Sequence, residues 1–120
     1  VYAKQVIRNA QTLAKALYDY NFPVICKHLG FTQSHQVILN YGNNEQGRVV
    51  AKKLQRANII SDCVIRIGTC EVTRRGMKEE EMLKVAELMK RTVIDGEKPE
   101  NLRKDVAKLC SDFQKAEYCF

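Results

Sequence analysis

Arg66 stands inside the run Cys63-Val64-Ile65-Arg66-Ile67-Gly68, with apolar residues before and after it. Burying a guanidinium without a partner is costly, so the run demands something to meet its charge. Two chemistries answer that demand. One is an ion pair with an acid near in sequence, Asp62 or Glu71. The other is a carboxylate or phosphate ligand, gripped by parallel hydrogen bonds that set orientation as well as position. The second chemistry predicts an Arg66 with no counter-ion from its own chain.

Other residues that could do chemistry are sparse. His35 opens a strand candidate and is either a hydrogen-bonded structural residue or a ligand or base. Nothing beside it completes a metal set or a nucleophile pair. Arg48, Lys52 and Arg56 share a helix face at four-residue spacing. They form either a solvated face or a track for a polyanion, but no aromatic residue interleaves with them to stack bases. The glycines make no dinucleotide-binding or P-loop signature. Five cysteines (Cys26, Cys63, Cys70, Cys110 and Cys119) occur without a Cys-x-x-Cys pair, beside two histidines. That is neither a disulfide framework nor a zinc site. The cysteines read as small apolar fillers in a reducing, cytoplasmic setting.

Helical periodicity supplies most of the scaffold. Residues 2–20 predict a helix with Val6, Ala10, Leu13 and Leu17 on one stripe, stopped by Asn21-Phe22-Pro23. Further helices are expected over 45–57, over 78–94 with Glu79, Glu80 and Glu81 in the first turn, and from Pro99 toward Phe120. Strands are expected at Val24–Cys26, at Gln36–Tyr41 and, as one strand or two, at Ile59–Ile60 and Val64–Ile67. Lys27–Ser34 and Thr69–Gly76 read as polar loops. Alternation places Cys63, Ile65 and Ile67 on one sheet face and Val64, Arg66 and Gly68 on the other. Few short strands and long helices predict an α+β two-layer domain, with helices packed on a small, mostly antiparallel sheet.

The 120 residues are one domain's worth, 45% hydrophobic and 28% charged, with a formal charge of +6. That balance permits an anionic partner without requiring one. No apolar run approaches the roughly 18 residues of a membrane helix, and no signal peptide opens the chain. A start without Met, already in helical rhythm, gives the expectation of a single domain, 1–120, cut from a longer protein.

Ile65-Arg66-Ile67-Gly68-Thr69, followed by Val72-Thr73-Arg74-Arg75-Gly76-Met77 and the acidic Glu79-Glu80-Glu81, resembles the carboxy-terminal domain of serine hydroxymethyltransferases. Gln5-Val6-Ile7-Arg8-Asn9-Ala10 resembles that domain's first helix, and Gly30-Phe31-Thr32-Gln33-Ser34-His35 resembles a Gly-Gly-Thr-Asp-Asn-His turn. The likeness runs in register over roughly residues 2 to 95. It implies the small domain of a pyridoxal 5'-phosphate enzyme of the aspartate-aminotransferase fold type. Such enzymes interconvert serine and glycine and pass one carbon to a reduced pterin, folate or methanopterin. They are expected to be cytoplasmic homodimers, with no nucleic-acid or membrane partner. The arginine matching Arg66 binds the substrate carboxylate there, and His35, Thr69, Thr73 and Arg75 are candidate supporting loop residues.

The departures are specific. The family's Schiff-base lysine follows a threonine-rich stretch of the large domain, and no such stretch occurs here. The chain therefore carries no catalytic, cofactor-binding or metal-binding residue of its own, is expected to be inactive alone, and relies on a large domain to bind the cofactor. Ser61-Asp62-Cys63 replaces a longer Asn-Pro-rich segment, as in the archaeal branch. Cys70-Glu71 replaces Pro-Ala, and Gln33-Ser34 replaces Asp-Asn. Another member of the fold type, an aldolase or aminotransferase, is the second enzyme reading. A stand-alone basic nucleic-acid-binding module is the non-enzyme reading.

Overall fold

The computed structural model describes residues 1–118. Helix α1, Tyr2–Asp19, forms as its period predicts and buries Val6, Ala10, Leu13, Ala14 and Leu17. It closes through Asn21, which takes a φ of 70°, while the Phe22 N–H folds back onto the Leu17 carbonyl at 3.0 Å. Asparagine tolerates that left-handed position, and the reversal drives the Phe22 ring into the core. Helix α1 thus ends by a cap before Pro23 can stop it.

Strand β1, Gln36–Ile38, pairs antiparallel with β2, Arg66–Gly68, in the register Gln36 to Gly68, Val37 to Ile67 and Ile38 to Arg66. Hydrogen bonds from Leu39 N–H to the Ile65 carbonyl and from Thr69 N–H to the His35 carbonyl extend the ladder at each end. The sheet is shorter than its sequence suggests. Val24–Cys26 contributes a single bridge, Val24 to Leu39, because Cys26 takes a φ of 62° and leads into a 3₁₀ turn at Lys27–Leu29. Ile59–Ile60 is not a strand; Asn58, with a φ of 64°, turns the chain just before it.

Helix α2, Asn44–Arg56, starts where the Asn43 side chain accepts the Gln46 N–H at 2.9 Å. Helix α3, Cys70–Arg74, occupies the stretch expected to be a polar loop. Helix α4, Glu79–Val93, opens with the Lys78 N–H bonded to the Glu81 carboxylate at 2.8 Å and carries the three expected acids in its first turn. Helix α5, Pro99–Ser111, has Pro99 in its first turn. It stops well short of Phe120, which, with Cys119, lies outside the described residues.

One core unites α1, α2, α4 and the inner face of the sheet, with Val37, Leu39 and Ile65 packed among Leu13, Leu17 and Met82. A smaller cluster of Ala57, Leu88 and Leu102 seats α5. Arg91 fastens it further, with Nε and Nη2 on the Glu97 carboxylate at 2.6 and 3.0 Å and Nη2 on Asp105 at 2.8 Å. The expected α+β two-layer architecture is borne out among the described residues, none of whose helices is long and apolar enough to cross a membrane.

Gly47 governs the approach to β2. A Cβ at this position would overlap the Cys63 carbonyl oxygen, so the segment before Arg66 lies directly on the α2 backbone. Gly47→Ala gains helix propensity of about 1 kcal/mol but forces two backbones apart. A net loss of roughly 1–3 kcal/mol is expected, read as a lower urea midpoint.

Candidate functional site

Arg66 is the first residue of β2, and its surroundings overturn the expectation that it lacks a counter-ion. Its Nε donates to Asp62 Oδ2 at 3.1 Å, and its backbone N–H donates to Asp62 Oδ1 at 2.9 Å. Of the two acids considered, Asp62 is therefore the partner. The premise of burial also falls: the Arg66 and Asp62 side chains are 52% and 41% exposed, and Val64 is 50% exposed. Of the apolar residues around Arg66 only Ile67 lies in the three-residue edge strand; Val64 and Ile65 belong to the turn before it. From Ile65 onward the alternation holds, with Ile65 and Ile67 turned inward and Arg66 and Gly68 outward, whereas Cys63 is exposed.

The turn that carries this pair is strained. The Ile65 N–H bonds the Asp62 carbonyl at 3.2 Å, and Ile65 takes a φ of 56° while fully buried. A β-branched residue there is an outlier. Core packing of its side chain and the Leu39 bond to its carbonyl hold it in place. Arg66 pulls the Asp62 carboxyl below its ordinary range, first through the backbone N–H and then through the guanidinium. An exposed pair of this kind contributes about 0–1 kcal/mol, enough to bias the side chain toward one rotamer and little more. Among the described residues no hydrogen bond is made by Nη1 or Nη2 of Arg66. Its neighbours Ile38 and Val64 border a cavity of about 270 Å³, with Tyr41, Asn43, Gly47 and Cys63.

The supporting candidates divide into two groups. The exposed His35 lends its carbonyl to the Thr69 N–H, and its imidazole edge lies beside Gly68 on the Arg66 face. Thr69 and Thr73 are buried. The Thr69 hydroxyl donates to the Val6 carbonyl of α1 at 2.9 Å, and the Thr73 hydroxyl donates to the Thr69 carbonyl at 2.6 Å. They hold the exit of β2 and α3 against α1. Arg75 is engaged by Glu71, through Nε at 2.9 Å, and Glu71 also takes two bonds from Arg74 at 3.0 Å. Those two guanidiniums pull the Glu71 carboxyl down to about 2.

Asn9 organises this region and carries no site role in the sequence reading. Its buried Nδ2 donates to Thr73 Oγ1 at 2.8 Å and to the Met77 carbonyl at 2.9 Å, while its Oδ1 accepts from Gln5 at 2.9 Å. The available signal was a polar residue on the inward stripe, three places after Val6 and four before Leu13. The chain ends also close on α3. The Tyr2 hydroxyl donates to the Cys70 carbonyl at 2.9 Å, and the N–H groups of Glu117 and Tyr118 donate to the Arg74 carbonyl at 2.7 and 3.2 Å. The Tyr2 and Tyr118 rings lie 5.2 Å apart.

The cysteines do not fill apolar gaps as expected: Cys63, Cys70 and Cys110 are exposed and Cys26 is half-buried, while Cys119 lies outside the described residues. Among those residues no three His, Cys, Asp or Glu side chains converge to hold a metal ion. A lysine that forms a Schiff base is activated by a desolvated pocket or a neighbouring cation. The lysines here are exposed, except Lys90, which is half-buried, paired with Asp95 at 3.5 Å and set over the Tyr20 ring. The residues present do not fit an anchor for pyridoxal phosphate. Arg48, Lys52 and Arg56 lie exposed on α2, and the hollow beside Arg48 and Lys52 is lined by no aromatic residue.

Two outcomes follow from the polar contacts. Asn9→Ala leaves the Met77 carbonyl buried without its donor, and a loss of about 2–4 kcal/mol is expected from chemical denaturation. Glu71 has its folded value of about 2 below the ordinary 4.5. Its ion pairs therefore stabilise the fold above pH 4.5 and are lost as pH falls through 2. The difference in thermal midpoint between the native chain and Glu71→Gln is expected to be full at pH 6, to shrink below pH 4.5, and to narrow with added salt.

No protein-family model matches the chain. It is 42% identical to the serine hydroxymethyltransferase of Methanocella arvoryzae, over 99% of this chain and 32% of that protein. It is 43% identical to that of Methanocaldococcus jannaschii, again over 99% of this chain and 32% of the relative. The chain thus spans about a third of the length of these curated relatives. The alignments cover 134 and 138 positions, more than the chain has residues, so both relatives carry residues that it omits. A crystal structure of L-threonine transaldolase from Pseudomonas fluorescens, in its internal aldimine state, superposes with a TM-score of 0.87 at 28% identity, over 93% of this chain and 28% of that one. The fold is that of the small domain of aspartate-aminotransferase-type enzymes. Over nearly its whole length, this chain belongs to the serine hydroxymethyltransferase family in its archaeal form and corresponds to a third of such a protein.

Proposed function

We propose that residues 1–120 are the carboxy-terminal small domain of a pyridoxal-phosphate-dependent serine hydroxymethyltransferase. The full protein interconverts serine and glycine and transfers one carbon to a reduced pterin, folate or methanopterin. In this reading it is a cytoplasmic homodimer, and its large domain binds the cofactor. The observation that carries the reading is the likeness to archaeal serine hydroxymethyltransferases at 42–43% identity across 99% of the chain.

Arg66 is the residue assigned to the substrate, binding the α-carboxylate of the amino acid. The Asp62 pair removes one ground for that role, the missing counter-ion. What supports it now is the Arg-Ile-Gly-Thr motif, the exposure of the side chain, and the use of Nε alone in the pair. Two parallel bonds from the Nη groups would neutralise the carboxylate and fix its plane. The cofactor supplies the electron sink when bound; this chain contributes orientation. Thr69 and Thr73 act behind the site by holding α3 to α1, and His35 borders the Arg66 face. With no lysine suited to a Schiff base, the chain alone does not turn over.

The likeness to a threonine transaldolase favours a second reading, an aldolase-type member of the same fold. It keeps the same task for Arg66. The test is Arg66→Lys in the full-length protein, which retains the charge and loses the fork. Affinity for glycine is expected to fall on the order of 10- to 100-fold; near-native affinity overturns the assignment.

A further inference from the structure

We infer that Asp62 is a positioning residue: it holds Arg66 from the Nε side, so that the two Nη groups meet an incoming amino-acid carboxylate as a ready-made fork. The inference rests on the reading of Arg66 given above. Both oxygens of Asp62 are spent on one residue, Oδ1 on the Arg66 backbone N–H at 2.9 Å and Oδ2 on its Nε at 3.1 Å. The side chain is thereby held at its root and near its tip. A free arginine carries large rotamer entropy, and a ligand that binds it must remove that freedom.

The backbone beneath the pair is equally constrained. Ile65, between the two partners, is buried with a φ of 56°, and its N–H bonds the Asp62 carbonyl. Gly47 brings the Cys63 carbonyl down onto α2. The segment from Asp62 to Arg66 is therefore fixed at three successive points. One oxygen on Nε leaves the far edge of the guanidinium open to a second carboxylate, which does not have to displace the first. Repulsion between two carboxylates on an exposed guanidinium is screened by water and salt. Salt weakens the Nε bond as well, but the buried turn at Ile65 that sets Asp62 beside Arg66 is not electrostatic, and the ordering it gives decides the sign: Asp62 strengthens capture.

The test uses the full-length protein loaded with its cofactor. Asp62→Asn keeps an oxygen for the Arg66 backbone N–H but removes the anion from Nε. Equilibrium titrations compare glycine with glycinamide, which lacks the carboxylate. Glycine affinity is expected to fall roughly two- to tenfold, with glycinamide affinity and the thermal midpoint unmoved. KM for serine rises while kcat holds. In the ligand-free protein, the Arg66 Nε–H exchanges faster with water in the variant, seen by nitrogen-15 NMR. Asp62→Ser, whose hydroxyl also accepts the backbone N–H, gives the same pattern if Asn disturbs the fold. Unchanged or tighter glycine binding overturns the inference, as does a parallel loss of glycine and glycinamide. If Arg66→Lys binds glycine normally, the reading of Arg66 itself fails; if Arg66→Lys loses glycine and Asp62→Asn does not, the positioning role alone falls.

Discussion

The buried amide of Asn9 is the contact on which the arrangement of the site depends. It reaches from α1 to the Thr73 hydroxyl and to the Met77 carbonyl, across the whole stretch that follows β2. Apolar packing alone would hold α1 near that stretch without fixing their relative position. A directional amide with its donors and acceptor satisfied does fix it, because any slip leaves polar atoms buried and unpaired. Each such orphan costs about 1–3 kcal/mol, against a total stability of about 5–15 kcal/mol for a domain. The Thr69 hydroxyl on the Val6 carbonyl adds a second fixed point one turn earlier on α1. Where β2 ends and α3 begins is thus set by a helix more than fifty residues upstream.

Arg66 shows how an apolar neighbourhood in sequence can mislead. Charge inside a long central strand would be buried, but β2 has three residues and forms one edge of a two-stranded sheet. Its outward positions face solvent, and the ion pair with Asp62 becomes an inexpensive local contact. The chemistry assigned to the residue does not need burial by this chain alone. A guanidinium that is half exposed and engaged at one nitrogen is suited to a surface completed by other parts of a longer protein.

What could be read from the sequence follows the same physics. The long helices were legible because Leu13, Leu17, Met82 and Met89 recur at helical spacing and are buried in that order. The strands were overcalled because β-branched pairs such as Val24-Ile25 and Ile59-Ile60 carry no information about the left-handed residues beside them, Cys26 and Asn58. Helix α3 was missed because five residues are too few to show a period, and its one buried side chain is the polar Thr73. Asp62 was legible as a partner for Arg66, since it lies only four positions before it. Its double use, on backbone and side chain, depends on the strained turn at Ile65, which no pattern of letters announces.

The chain's ends close on α3. Tyr2 holds the first carbonyl of this short helix, and Glu117 and Tyr118 hold the last, with the two tyrosine rings side by side. A change at Tyr2, Glu117 or Tyr118 would therefore loosen Cys70 or Arg74, so residues remote in sequence bear on the segment just beyond Arg66.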